Sequence, residues 1–244
     1  MPVAEFSDAR LARLYDLWGT DRADLDFYVA LAGETPLRVL DLCCGTGQIT
    51  VALAERGHAM TGVDGAAAML ALARARPGGE RVTWIEADVR DLVLDERFDF
   101  VLISGHAFQV FLSDDDVQAV LRTARGALTP GGRLAFETRN PLARAWEQWT
   151  PAAPARRLAS AEEGDVLVTA HLRGVRDGYV DSELHYHFTR TGEELVSRQV
   201  LRFSTYSEVM NQPAAAGFRA EAVYGDWDRS PLTDRSAELI VVAR

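Results

Sequence analysis

The chain has 244 residues, 48% of them hydrophobic, and a formal net charge of -10. That is enough to bury a core as one domain, or one domain with an elaboration. The acidity disfavours nucleic acid and anionic membranes as partners, while cationic ligands are tolerated. No apolar run reaches the ~18 residues of a membrane span. The start, "MPVAEFSDAR", has no basic-then-apolar leader pattern. The two cysteines are adjacent and offer no disulfide framework, so a cytoplasmic setting is expected.

In chain order, "LARLYDLWGTD" and "ADLDFYVALAG" read as two short helices, with Leu11, Leu14, Tyr15 and Trp18 at helical spacing. Strands and helices then alternate. "LRVLDL" (37–42) is a strand, "GQITVALAERG" (47–57) a helix, "HAMTGVD" (58–64) a strand, and "AAAMLALARAR" (66–76) a helix stopped by Pro77. "RVTWIEAD" (81–88) and "FDFVLIS" (98–104) are strands. Ser113 followed by Asp114, Asp115 and Asp116 reads as a cap and an acidic first turn. The sequence "TPGG" ends that helix, and "RLAFET" (133–138) is the fifth strand. This rhythm predicts βαβ units and a parallel sheet covered on both faces.

After Thr138 the period changes to two. "DVLVTAHLRGV", "YVDSELHYHFT" and "EELVSRQVLRF" read as an antiparallel meander, placed near 145–204 as an insertion in one domain. Asp177-Gly178 suits a two-residue hairpin turn, but that loop sets Leu172 opposite Glu183, Ala170 opposite His185 and Val168 opposite His187, a register that mixes polar and apolar side chains on one face. A three-residue loop, Arg176 to Gly178, sets Gly174 opposite Val180, Leu172 opposite Ser182, Ala170 opposite Leu184, Val168 opposite Tyr186 and Val166 opposite Phe188. One side is then nearly all apolar, while Arg173 faces Asp181 and His171 faces Glu183. The sorting outweighs the dipeptide, so the three-residue loop is expected. The apolar side should cover a substrate pocket or a partner subunit, and His185 and His187 should face the wetter side. A helix follows near "TYSEVMNQPAAAGF", to be broken or kinked at Pro213, and "AEAVYG" and "AELIVVA" supply two last strands.

The stretch "VLDLCCGTGQIT" (39–50) lies where strand gives way to helix. Backbone N–H groups and a positive helix end gather there, and Gly45 and Gly47 allow close approach to the main chain. Asp64 closes the next strand, where an acid can bind both hydroxyls of a ribose. Asp88 ends the third strand at the same edge. Asp41, Asp64 and Asp88, with no Lys or Arg read beside them, suit a cationic nucleoside better than a phosphate. A GxGxxG dinucleotide loop would want a small residue at Thr50.

At these residues the chain resembles the class I S-adenosylmethionine-dependent methyltransferases. "VLDLCCGTG", "GVD", "EADVRDL" and "LTPGGRLAFE" look like that family's successive motifs, from Leu37 to Glu137. The flanks "TDRADLDFY", "TRNPLARAWEQW" and "YGDWDRSP" resemble its bacterial small-molecule branch. The resemblance implies a seven-stranded, mostly parallel, doubly wound α/β sheet with an antiparallel β-meander after the fifth strand. It implies S-adenosyl-L-methionine as cofactor and an N-terminal helical lid over residues 1–36. It places Asp41, Gly45 and Gly47 at the methionine end and Asp64 on the ribose. Asp88 and the Val89 backbone go beside the adenine, Ser104 below the methyl, and Tyr15 in the lid. The chain departs from the family at Cys43, where glycine is frequent, and at Val110, where histidine is frequent.

Plainer readings stand beside these. Cys43 and Cys44 suit small buried residues, since adjacent cysteines chelate poorly without further ligands. Tyr15 and Tyr28 fit either a core stripe or a lid. His106 reads as a buried, hydrogen-bonded histidine or as a base. His185 and His187 share a strand face but lack a third ligand, so no metal is expected. If the acceptor is a hydroxyl, a base is needed, and the candidates are His106, Glu137 and Tyr15. If it is an amine, none is required. Transfer to a small-molecule or peptide amine is favoured over O-methylation, and a homodimer is possible. A nucleotide-cofactor oxidoreductase and a non-catalytic S-adenosylmethionine-binding protein are the alternatives.

Overall fold

The computed structural model describes residues 4–18 and 22–244. Part of the expected lid, including the start of "TDRADLDFY", lies outside the described residues.

The N-terminal region forms α1 (Ala4–Ser7), α2 (Ala9–Tyr15) and α3 (Ala23–Ala32). Asp8 separates the first two, because its carboxylate caps α2 by accepting from the N–H groups of Arg10 and Leu11. Then come β1 (Arg38–Leu42), α4 (Gln48–Glu55), β2 (Ala59–Asp64), α5 (Ala67–Ala75), β3 (Thr83–Glu86), β4 (Phe98–Ile103), α6 (Asp114–Ala127) and β5 (Leu128–Arg139). The Ser113 side chain caps α6 by accepting from the N–H of Asp116, as the sequence implies. A second sheet follows: β6 (Arg156–Ser160), β7 (Gly164–Arg176), β8 (Tyr179–Phe188) and β9 (Glu194–Arg202). The chain ends with α7 (Tyr206–Ala215), β10 (Ala220–Tyr224) and β11 (Glu238–Ala243).

The main sheet has seven strands in the order β10-β11-β5-β4-β1-β2-β3. β1 to β5 pair in parallel, and β11 runs antiparallel to both β5 and β10. Strand order reverses between β1 and β4, so a crevice opens beyond their carboxyl ends, where ligands of open α/β sheets bind. β1, β4 and β11 are buried almost throughout, as strands covered on both faces must be.

Three details differ from expectation. Pairing of β5 begins at Leu128, ahead of "TPGG", and the ladder with β4 is irregular between Phe98 and Phe100. The extra residues loop out where Gly131 takes φ 82°. Pro213 does not break α7. It stands in the last turn, where few later hydrogen bonds remain to lose, and the helix runs on to Ala215. β6, missed in the sequence, has only Leu158 as a deeply buried residue among arginines, alanine and serine.

The hairpin reconciles two readings that looked exclusive. The loop is the two-residue Asp177-Gly178 turn, with Arg176 opposite Tyr179 and both loop residues at positive φ. From Leu172 onward the register is nonetheless the apolar one: Leu172 faces Ser182, Ala170 faces Leu184, Val168 faces Tyr186 and Val166 faces Phe188. A β-bulge at Arg173 absorbs the difference. The expected three-residue loop is therefore wrong, and so is the pairing of Arg173 with Asp181, which faces Gly174. His185 lies on the wetter side, between Glu183 and Glu194 and stacked on His171 at 4.0 Å. The apolar side, with Val166, Val168, Tyr186 and Phe188, packs on Leu11 and Leu14 of α2 in the same chain.

Candidate active site

The glycine loop begins at a strained residue. Cys43 has φ 62°, in the left-handed region that favours glycine. Cys44 N–H donates to the Val63 carbonyl, which ties the loop to β2. Burial pushes both thiols well up, so neither is a ready thiolate. Among the described residues no group of His, Cys, Asp or Glu could hold a metal ion. Gly45 and Gly47 have φ 54° and 74°. Their missing side chains serve different ends. A Cβ at Gly45 would meet nothing within 4 Å, whereas one at Gly47 would lie 2.5 Å from the Trp84 ring. Gly45 thus leaves open space for a ligand, and Gly47 makes room for Trp84 beneath the loop.

Asp64 stands at the end of β2 and organises the loop. Its Oδ2 accepts from Gly45 N–H and its Oδ1 from Ala66 N–H, each at 2.8 Å. A carboxylate oxygen has two lone pairs, so each oxygen can take one further donor. Burial raises the Asp64 pKa, opposed by those backbone donors. Asp41, on β1, is buried, and burial pushes its pKa up to about 7. Its Oδ2 accepts from Thr50 at 2.6 Å, while its buried Oδ1 has no partner. Thr50 therefore fills the third position of the loop pattern with a hydroxyl matched to Asp41.

The loop is not free of cations. Arg76 Nε donates to the Thr46 carbonyl at 2.9 Å, and its guanidinium also grips Asp16, just beyond α2. Asp16 accepts from the Thr46 hydroxyl and the Gln48 amide as well. Arg90 pairs with Asp88 and Asp116, holding the pKa of both carboxyls down. The sequence reading of three acids without a nearby cation is thus corrected. Arg90 is two residues from Asp88, and Arg76 arrives from the far end of α5. Asp88 itself is exposed and Val89 is buried beside it.

Across the crevice, Ser104 is buried and His106 sits in the left-handed region with φ 59°. The His106 N–H donates to Glu137 Oε1 at 2.8 Å. Its ring Nε2 lies 2.8 Å from Glu238 Oε2. The other oxygen of Glu137 accepts from Tyr28, so both are engaged, and burial raises the pKa of this carboxyl. Tyr28 is a core residue against Phe27 and Trp227. The Tyr15 hydroxyl is so placed that a Cβ on Gly105 would lie 3.6 Å away. Burial pushes the Tyr15 pKa up to about 12. α2 therefore bridges the crevice, with Tyr15 toward one rim and Asp16 fastened to the other.

Strand, glycine loop, acid-ended second strand and roofing helix agree with what known proteins show. Residues 39–132 match the methyltransferase domain family. The chain is 29% identical to the cypemycin N-terminal methyltransferase of a Streptomyces species, over 84% of this chain and 81% of that one. Its fold matches the CcbJ methyltransferase of Streptomyces caelestis at 23% identity and a TM-score of 0.76, covering 96% and 95% of the two chains. It also matches the amino pentose methyltransferase CalS10, solved with S-adenosylmethionine bound, at 24% identity, a TM-score of 0.67 and coverage of 95% and 94%. These similarities support a class I S-adenosylmethionine-dependent methyltransferase.

Other curated relatives match this chain over shorter stretches, the putative methyltransferase YqeM of Bacillus subtilis over 41% of its own length. The residues of the crevice fit S-adenosylmethionine. The orphaned Oδ1 of Asp41 suits an ammonium, the open lone pairs of Asp64 suit ribose hydroxyls, and the bare backbone at Gly45 admits close contact. The oxidoreductase alternative gives way to this match.

Three functional candidates escaped the sequence reading: Glu5, Arg139 and Glu238. Arg139 had a signal, since it lies two residues beyond Glu137 and so shares its strand face. Glu5 and Glu238 had none, because only folding brings positions 5, 139 and 238 together. Among the described residues no helix is long and apolar enough to cross a membrane.

Proposed function

We propose that this methyltransferase methylates the nitrogen of a small-molecule or peptide amine. The observation that carries the reading is the state of the acids at the crevice. Glu5 Oε1 accepts from Tyr186, and Glu238 Oε2 faces His106. The second oxygen of each has no protein donor among the described residues, which suits an ammonium. Two of the three candidate bases, Glu137 and Tyr15, are poorly placed to activate a hydroxyl. A ring nitrogen facing a carboxylate donates to it, which leaves the lone pair of a neutral His106 ring on Nδ1. Glu137 has both oxygens occupied, and the Tyr15 phenol holds its proton. The cypemycin relative, by its name, acts on an N-terminus.

When bound, S-adenosylmethionine supplies an electrophilic methyl on a sulfonium. The protein's task is alignment and exclusion of water, together worth ~7–11 kcal/mol in favourable cases. In this reading Asp41, Gly45 and Gly47 hold the methionine end and Asp64 the ribose hydroxyls. Asp88 and Val89 flank the adenine. Ser104 lies below the methyl, and Tyr15 closes the roof. Glu137 is a positioning residue that fixes the His106 backbone and Tyr28. The test is release of S-adenosylhomocysteine across matched panels of amines and alcohols. Turnover confined to amines is expected; turnover confined to alcohols would overturn the reading.

α2 with its Asp16 clamp acts in this reading as the lid. Residues 11–18 should gain amide protection when cofactor binds, because lids are drawn from segments that open locally. Equal hydrogen exchange with and without cofactor would refute this role.

A further inference from the structure

Arg139 is the group at the crevice that the account so far leaves without work. It ends β5, where it is mostly enclosed and its pKa is held down by burial. Its Nη1 donates to Gln109 Oε1 at 2.8 Å, and its guanidinium lies 5.9 Å from the Trp149 ring. Gln109 is itself buried and donates onward to the Arg202 carbonyl, so the guanidinium is held at a set angle. Among the described residues it forms no ion pair. Its remaining N–H donors find no protein acceptor among the described residues, and Arg139 is only partly buried. It feels the charges of Glu238, Tyr15, Glu137 and Glu5, the groups that line the proposed acceptor site.

A partly buried guanidinium with most of its five donors unmet by protein groups is open to a ligand acceptor. Nothing in the packing requires it, since Gln109 answers only one donor. The planar fork matches a carboxylate in two parallel hydrogen bonds. A phosphate dianion fits less well, because Glu5, Glu137 and Glu238 stand close by and repel concentrated negative charge. Beside the fork lie the open oxygens of Glu5 and Glu238, which suit a cation. Opposite charges are thus presented side by side.

We propose that Arg139 is a specificity-determining residue that binds a carboxylate of the methyl acceptor, so that the acceptor is an amino acid or another amine bearing a nearby carboxylate. The inference rests on the N-methylation reading for the nature of the nucleophile, but not for the carboxylate. The nucleophile's nitrogen would sit toward Glu5 and Glu238 and its acid group on Arg139. The Gln109 contact acts through Arg139 and positions it.

The test uses the full chain and four panels: the common amino acids, their amides, their decarboxylated amines, and hydroxy acids paired with hydroxy amides. S-adenosylhomocysteine release gives kcat and KM. Calorimetry of the best acid into protein loaded with S-adenosylhomocysteine gives binding without turnover. Acids should have a KM at least about tenfold below their amides, and Arg139→Gln should raise the KM for acids by about 10–100-fold. The same variant should raise the KM for amides far less than that for acids, while the calorimetric affinity for S-adenosylmethionine serves as the check on folding. Arg139→Lys should recover part of the loss. If Arg139→Gln does not fold, the acid-to-amide ratio of the natural chain decides. Amines used without preference for acids would overturn this inference and leave N-methylation standing. Hydroxy acids used in preference to hydroxy amides, with amines refused, would overturn N-methylation and leave the Arg139 site standing. Turnover of neither kind of acid would overturn the Arg139 site.

Discussion

Replacing Asp64 by alanine is expected to weaken S-adenosylmethionine binding by about 10²–10⁴-fold. The carboxylate would lose two charge-assisted hydrogen bonds to the ribose, each worth ~1.5–3 kcal/mol. The loss is compounded locally, because the same oxygens hold the N–H groups of Gly45 and Ala66. Asp64→Asn separates the two effects. It keeps one oxygen acceptor for the backbone and loses the charge, so it should fall between the natural chain and the alanine variant. Calorimetric titration checks this, and an unchanged dissociation constant for Asp64→Ala would remove Asp64 from the cofactor site.

The second large effect concerns pH. Burial pushes the Asp41 pKa up to about 7, with Asp64 and Glu137 adding to the rise and Thr50 opposing it. A folded-state value above the unfolded one gives a contribution to stability that is full below the unfolded pKa. It is lost as pH rises through about 7. The cofactor-free protein should therefore be less stable above neutrality than in mild acid. Cofactor affinity should move the other way. An ammonium pairs with the charged carboxylate, so affinity should climb about tenfold per pH unit below the pKa and level off above it. Asp41→Asn keeps an oxygen for Thr50 and cannot titrate, so it should bind weakly at every pH with no such slope. Part of the stability slope should survive in that variant, because burial also pushes Glu5 up to about 7. Thermal unfolding and calorimetry over a pH series provide the measurement. A natural slope of affinity in Asp41→Asn would show that another group governs it.

What could be read in the sequence was what is local or periodic. The strand-helix alternation is dictated by a sheet buried on both faces, and β1 to β5 appear close to where that pattern puts them. The glycine loop was legible because strand, turn and helix chemistry coincide within a dozen residues. The hairpin shows how far local rules reach. Turn dipeptide and apolar sorting were each right about their own part, and a bulge at Arg173 joins them. A count that assumes an unbroken ladder has no place for that residue. The crevice beyond the glycine loop was legible only in part. Glu137 and His106 stand at strand ends and could be named, but their engagement with Tyr28 and Glu238 could not. Glu238 reaches the site because β11 runs antiparallel beside β5, which pairs it with Arg139. Glu5 arrives because α1 packs on the second sheet, where Ser197 accepts from its backbone N–H at 3.0 Å. The Asp16–Arg76 clamp likewise joins two helix ends far apart in the chain.

The central claim is that this crevice transfers a methyl group from S-adenosylmethionine to nitrogen. The most direct measurement is a reaction with S-adenosylmethionine carrying a ¹³C methyl and the best amine of the panel, followed by carbon NMR of the product. The account predicts that the label appears as an N-methyl carbon, formed in step with S-adenosylhomocysteine and absent when Asp64→Ala replaces the natural chain. Label found on oxygen, or cofactor bound with no label transferred to any acceptor, would contradict it.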